Sequence, residues 1–247
     1  MYVSLVLSTI LIFYVHGGFA VDCPKSSAQW CENANIAQAC GVTEQCNKYV
    51  WKIRDDNDRV NLTVYYETLC PDCRQFISTQ VWNAYQSILS ILNISFVPYG
   101  NAHEVYQPET KLYQFYCQHG ADECFGNLIH SCLIFIYRNT TQHLPFIYCT
   151  ESTEGDVETV AVQCAEKTSI DYSKVSACVQ SRLGNQLQHL NAVQTDSLQP
   201  QHQYVPWVTV NGVHTEDMEQ QAEKDLVGLI CKTYKGSNPP AKCQKYL

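Results

Sequence analysis

Leu62-Thr63-Val64-Tyr65-Tyr66-Glu67-Thr68-Leu69-Cys70-Pro71-Asp72-Cys73-Arg74-Gln75-Phe76-Ile77 sets two cysteines, three residues apart, between two different apolar periods. Val60, Leu62, Val64 and Tyr66 alternate with Asn61, Thr63 and Tyr65, the period of a strand. Cys73, Phe76, Ile77, Val81, Ala84, Tyr85, Ile88, Leu89 and Leu92 then recur at three- and four-residue steps, one face of a helix. Pro71 suits the first helical turn, where its missing N–H is not needed. Cys70 therefore stands at the helix N-terminus, where unpaired N–H groups and the helix dipole favour a thiolate. The expectation is an exposed Cys70, with Cys73 one turn further on and facing inward. Such a pair at a strand-to-helix junction reads as a redox dithiol. Half a zinc site is the competing reading, but no second C-x-x-C and no H-x3-5-H pair accompany it. A chance pair in a chain of 14 cysteines is the other.

The even cysteine count belongs to an oxidising compartment. The chain has 247 residues, 45% of them apolar, enough for one large domain or two small ones. Its net charge is −8 without a basic run, which argues against a nucleic-acid partner. Residues 1–20 read as a cleaved signal peptide: Tyr2 to Val15 are almost all apolar, and Gly18-Phe19-Ala20 supplies small residues for the cut. The apolar run is short for a membrane span, so no stable membrane insertion is expected. Asn61, Asn93 and Asn139 each head an N-x-S/T glycosylation sequon.

Residues 21–55 hold Cys23, Cys31, Cys40 and Cys46 with Trp30 and Trp51. This unit resembles the saposin A-type domain, which implies a precursor module associated with lysosomal delivery; a plain disulfide-stapled cap is the other reading. Four cysteines allow three pairings. Arg54-Asp55-Asp56-Asn57-Asp58-Arg59 reads as a linker and a candidate cleavage site. After the redox helix, Ile94 to Gly100 reads as a second strand, completing a parallel βαβ unit of an α/β domain.

Cys117-Gln118-His119-Gly120-Ala121-Asp122-Glu123-Cys124-Phe125-Gly126-Asn127-Leu128-Ile129-His130-Ser131-Cys132 follows. Read alone, it is a cysteine-stapled loop entering a helix. A metal site of Cys117, His119, Glu123 and Cys124 is the alternative; the expectation is none, because secretory cysteines usually pair with each other. With the upstream C-x-x-C, the pattern C-Q-H-G-x-x-E-C-x-x-N-x-x-x-x-C resembles the signature of the gamma-interferon-inducible lysosomal thiol reductase family. Cys117, Gln118, His119, Gly120, Glu123, Cys124, Asn127 and Cys132 carry the resemblance, which runs from Val60 to Tyr234. It implies a thioredoxin-like fold over 60–235, with Cys70 and Cys73 as active-site thiols. It also implies reduction of protein disulfides at acidic pH in lysosomes, endosomes or a secreted setting. No bound cofactor is expected, only an external small-molecule thiol donor. Mammalian members carry small residues where Pro71-Asp72 stands, so these two become redox-tuning candidates. The Asp72 carboxylate is expected to disfavour the Cys70 thiolate.

Residues 101–200 exceed what a minimal thioredoxin domain needs and read as a helical insertion, similar to that of the bacterial periplasmic thiol oxidase. Asp156 to Ala165 and Ser173 to Leu190 are its candidate helices, stapled through Cys149, Cys164 and Cys178; the insertion either walls the active site or merely packs. In Tyr204 to Val213, Asn211-Gly212 between apolar runs predicts a hairpin. The thioredoxin-like resemblance makes Val205-Pro206 a cis peptide facing the redox pair, with Val205 offering backbone to a substrate peptide. A final helix follows, and then a tail, 236–247, pinned by Cys231 and Cys243. The eight cysteines outside the first unit and the redox pair are expected to be disulfide-bonded, although 105 pairings are open. The functional alternatives are a non-catalytic secreted escort protein, or an oxidase or isomerase using the same thiols, since the direction depends on redox potential.

Overall fold

A computed structural model describes residues 22–24, 29–31, 34–46 and 59–247. The expected signal peptide, Trp51 and most of the charged linker lie outside these residues. In the first unit, α1 (Ala34–Ala39) and α2 (Thr43–Cys46) are joined by a tight turn. Disulfides Cys23–Cys40 and Cys31–Cys46 resolve the three-way choice of pairing. The Trp30 indole N–H donates to the Pro24 carbonyl at 2.8 Å.

The second unit spans Asp58–Leu247. Its centre is β1 (Val60–Tyr66), followed by α3 (Pro71–Phe76), a π-helical stretch (Ile77–Val81) and α4 (Trp82–Ile88). A 3-10 turn (Leu89–Ile91) leads into β2 (Leu92–Pro98), which pairs parallel to β1 from Val60↔Leu92 to Tyr66↔Pro98. Leu92 thus opens a strand and does not close the helix. β5 (Trp207–Val210) runs antiparallel on the other side of β1, giving the order β2-β1-β5. A right-handed twisted strand can return parallel only through a crossover, and the Cys73 helix is that crossover. Cys73, Ile77, Val81, Ala84 and Ile88 are buried on its inner face against Leu62, Val64 and Tyr66. Tyr65 points the other way, yet it too is buried, with Val97 and Trp207.

The expected helical insertion opens instead with a hairpin, β3 (His103–Gln107) and β4 (Leu112–Tyr116). Its residues are largely exposed, so no apolar alternation marks it in the sequence. Cross-strand ring pairs hold it: His103 stacks on Tyr116 at 4.8 Å, and Tyr106 lies 5.3 Å from Tyr113. Five helices follow: α5 (Ala121–Ile136), α6 (Thr140–Glu151), α7 (Val157–Thr168), α8 (Tyr172–Val179) and α9 (Arg182–Asp196). The helix expected over Ser173 to Leu190 is two helices. Ser181 divides them, its hydroxyl donating to the Cys178 carbonyl and accepting the Gly184 N–H at the start of α9.

The Asn211-Gly212 turn forms, but the expected hairpin shrinks to one bridge, Val210↔Val213. His214 turns inward instead, stacking on Trp207 at 3.4 Å and bonding the Val208 carbonyl at 2.9 Å. Thr215 then caps α10 (Glu216–Thr233), accepting the Met218 N–H. Cys117–Cys124, Cys132–Cys178, Cys149–Cys164 and Cys231–Cys243 pair all eight remaining cysteines. The domain is α/β and thioredoxin-like, with a hairpin-and-helix insertion between β2 and β5. Among the described residues no helix is long and apolar enough to cross a membrane.

On α10, Glu219 is 2% exposed. Tyr204 donates to its Oε2, while Oε1 has no hydrogen-bond partner. Burial, and next the Glu223 charge, push its carboxyl from 4.5 to about 8. The folded value lies above the unfolded one, so the folded state holds this proton longer. Its stabilising effect is complete below about 4.5 and is lost as pH rises through about 8. Glu219→Gln is therefore expected to raise Tm at pH 8 and leave it unchanged at pH 4, as measured by thermal denaturation at both pH values.

Candidate active site

Cys70 ends the turn after β1 and occupies the N-cap position of α3. Its own sulfur serves as the cap, accepting the Cys73 N–H at 3.4 Å. The two cysteines are the free ones among the described residues. Cys70 is not exposed as expected: it is 6% accessible, while Pro71 and Asp72 beside it are exposed. The Val205-Pro206 segment covers it. That peptide is cis, and the Cys70 thiol faces the Val205 carbonyl at 3.8 Å. Beside Pro206 lies a depression of about 220 Å³ bordered by Asp72, Gln75, Phe76, Gln80 and Glu223.

The two thiols differ sharply in acidity. Hydrogen bonding from Cys73 is the main influence bringing Cys70 from 9.0 to about 6, against the opposing effect of burial. The N–H groups of Cys73 and Asp72 add to the lowering, and the Asp72 carboxylate opposes it as the smallest contribution. Asp72 thus acts in both directions at once, and its expected penalty is minor. Burial, reinforced by Cys70, pushes the Cys73 thiol far upward.

The signature residues converge on the turn that leads into Cys70. The Asn127 side-chain oxygen accepts the Thr68 N–H at 3.0 Å, and the Thr68 hydroxyl donates to the Glu123 carbonyl at 3.2 Å. Gly126 lets the turn approach this closely, since a Cβ there would collide with the Thr68 hydroxyl. Gly120 starts α5 with φ 90°, a conformation that side chains disfavour. Gln118 accepts the Asn101 side-chain N–H at 2.8 Å. Cys117–Cys124 closes the loop that carries His119, and Cys132–Cys178 ties α5 to α8. The two thiolates that a metal site in this loop would need are joined to each other. His119 bonds Glu123 instead, Nδ1 to Oε2 at 2.5 Å, and its Nδ1 lies 3.5 Å from Glu67 Oε2.

Sequence reading singled out none of Glu67, Tyr66, His130 or Glu151. Behind Cys73 the Tyr66 hydroxyl meets His130 Nδ1 at 2.7 Å, and His130 Nε2 meets the Thr150 hydroxyl at 2.9 Å. Thr150 donates its own proton to the Ile147 carbonyl, so Nε2 carries the imidazole hydrogen and Nδ1 accepts from Tyr66. Burial lowers His130 to about 3, keeping it neutral, and raises both Tyr66 and Glu151 well above their ordinary values. A cavity of about 30 Å³, the room of one water, borders Arg74, His130 and Glu151. Only burial marks these residues, and burial is not visible in a strand-helix pattern.

Of the sequon asparagines, Asn61 and Asn139 are exposed and Asn93 is partly buried. Asn61 and Asn93 are cross-strand partners joined side chain to side chain at 3.1 Å, whereas Asn139 caps α6.

A family-level sequence model described as gamma interferon inducible lysosomal thiol reductase matches residues 61–168. A saposin A-type domain matches residues 20–52. A gamma-interferon-inducible lysosomal thiol reductase of Carassius auratus is 40% identical over 90% of this chain and 85% of its own. The Mus musculus protein of that name is 34% identical over 74% of this chain and 71% of its own. Among solved structures, Chlamydia trachomatis DsbA superposes with TM-score 0.49 at 13% identity, covering 70% of this chain and 88% of that one. By its sequence relatives and the motifs placed above, this chain belongs to the gamma-interferon-inducible lysosomal thiol reductase family, as a thiol–disulfide oxidoreductase.

Proposed function

We propose that the protein reduces disulfides of protein substrates in an acidic endosomal or lysosomal setting, or after secretion, with Cys70 as nucleophile and Cys73 as resolving thiol. The observation that carries this reading is the pair of free thiols one helical turn apart, with Cys70 Sγ at the helix N-cap accepting the Cys73 N–H. An ordinary cysteine near pKa 8.5 would be ionised to only about one part in a few thousand at pH 5. With Cys70 at about 6, roughly a tenth is thiolate at that pH.

The Cys70 thiolate attacks one sulfur of the substrate disulfide. The substrate S–S bond breaks, a mixed disulfide forms, and the departing sulfur takes a proton. Cys73 then gives up its proton and attacks Cys70 Sγ. The second substrate sulfur leaves as a thiol, and a Cys70–Cys73 disulfide remains. Two equivalents of a small-molecule thiol restore the dithiol, so no bound cofactor enters the cycle. The Val205 backbone and Pro206, lying over Cys70, are the edge on which an extended substrate segment is placed. The buried, high-pKa Cys73 stays protonated until the mixed disulfide removes the Cys70 charge beside it.

Two outcomes are expected. Cys70→Ser abolishes reduction of a disulfide substrate and captures nothing. Cys73→Ser accumulates a covalent substrate complex that added thiol releases. Mass spectrometry of trapped complexes checks the order, and substrate attached to Cys73 in the Cys70→Ser protein would reverse it. Asp72→Asn is expected to lower the Cys70 midpoint by well under about one pH unit, because an exposed carboxylate is strongly screened. Alkylation rate against pH measures it, and a large drop would make Asp72 a major tuning residue instead.

A further inference from the structure

One group beside the redox pair has no part in the chemistry described so far. Glu67 lies in the turn between β1 and Cys70 and is fully buried. Its Oε1 accepts the Asn101 N–H at 2.6 Å. Its Oε2 has no hydrogen-bond partner and faces His119 Nδ1 at 3.5 Å. The titratable groups facing it are Cys70 on its own segment, His119 from the disulfide-closed loop, and Glu123 from the first turn of α5. Among the described residues no lysine or arginine pairs with it. A buried carboxyl beside another carboxylate, with a single imidazole between them, is held most cheaply when it carries a proton.

We propose that Glu67 is a positioning residue whose proton sets the charge beside Cys70, and that His119 and Glu123 tune when that proton leaves. Neutral Glu67 adds nothing to the weak opposition of the exposed Asp72 carboxylate; ionised Glu67 opposes the Cys70 thiolate from inside the fold. Glu67 itself does not reach the surface, so it acts through Cys70 and not on substrate. Burial first, then the Glu123 charge and that of Cys70, bring its carboxyl from 4.5 to about 7, while His119 and the Asn101 N–H pull it down. At pH 5 it is protonated, and at neutral pH half of it is not. Cys70 and Glu67 therefore titrate as a coupled pair. The signature residues His119 and Glu123 thereby gain an electrical role in addition to holding the turn. The inference rests on Cys70 being the nucleophile.

The test is the alkylation rate of the reduced full-length protein from pH 4 to 9, with iodoacetamide and the label located by mass spectrometry. The parent is expected to give a broadened curve on Cys70, with inflections near 6 and 7. Glu67→Gln, which keeps the bond to Asn101, is expected to give a one-proton curve of lower midpoint. Glu123→Gln removes a charge that holds the proton on Glu67, so the upper inflection moves down by about one pH unit. His119→Gln removes a partner of the ionised form, so the upper inflection moves up. A role limited to packing would not shift the two variants in opposite directions. Should Glu67→Gln fail to fold, that opposed pair decides the matter. Curves that superimpose on the parent overturn the inference and leave the reductase reading standing. Label found away from Cys70 overturns the nucleophile assignment, and this inference with it.

Discussion

A single hydrogen bond organises the site: the Cys73 N–H pointing at Cys70 Sγ, 3.4 Å away. Most helices are capped by an oxygen from Ser, Thr, Asp or Asn. Here a sulfur takes that place, so the interaction that starts the helix also stabilises a thiolate. The bond forms only if Cys70 is extended and Pro71 is already helical. Cys70 has φ −66° and ψ 121°, and Pro71 presets the first helical φ. The Thr68 contacts to Asn127 and Glu123 fix the turn before it. A family signature more than forty residues away in sequence thus acts on Cys70 through two hydrogen bonds to one threonine.

The insertion does more than pack. α5 contributes His130 and α6 contributes Thr150 and Glu151, and these stand behind Cys73 with Tyr66 from β1. The Arg74 side chain, two residues into the redox helix from Asp72, reaches across to the Glu151 and Thr153 carbonyls at 3.1 and 2.6 Å. The redox helix and the insertion are therefore bonded at the site itself. Tyr66, His130 and Glu151 are each pushed toward the neutral form by burial. With its titratable groups held neutral beside the Arg74 guanidinium, this backing leaves Cys73 buried and its thiol protonated.

The strand, the helix start at Pro71, the C-x-x-C at their junction and the bonded state of the other cysteines were legible in the sequence, because each depends on local pattern or on counting; which cysteine meets which was not, because that depends on the fold. β3 and β4 were not legible, because their residues bury little and are held by ring pairs across strands. The helix break at Ser181 was missed because serine is an ordinary polar residue until its hydroxyl meets a carbonyl and an N–H. The shielding of Cys70 was missed for a different reason. It depends on Val205, 135 residues away, and a helix N-terminus read alone looks open. The Asp72 carboxylate opposes the Cys70 thiolate, as its place in the sequence implies, but the N–H of the same residue favours it, and that N–H is not visible in sequence.

Glu67, Glu151 and Glu219 were the least legible of all, and they share one physical property. Each is a carboxyl raised by burial, two of them to about 7 and about 8. Such groups favour the fold in acid and weigh against it as pH rises. His130 works the other way: its folded value of about 3 lies below its ordinary 6.5, so its contribution is lost as pH falls from 6.5 toward 3. His143, lowered by the same burial, adds to that side. The two slopes cross in mildly acid solution, where the buried carboxyls still hold their protons and the buried imidazoles still refuse them. In that window the interior carries the least charge, and Cys70 already has a useful thiolate fraction. Burial thus sets the proton preferences of the core, whereas the Cys70 thiolate comes from the hydrogen bonds of Cys73 and is opposed by that same burial.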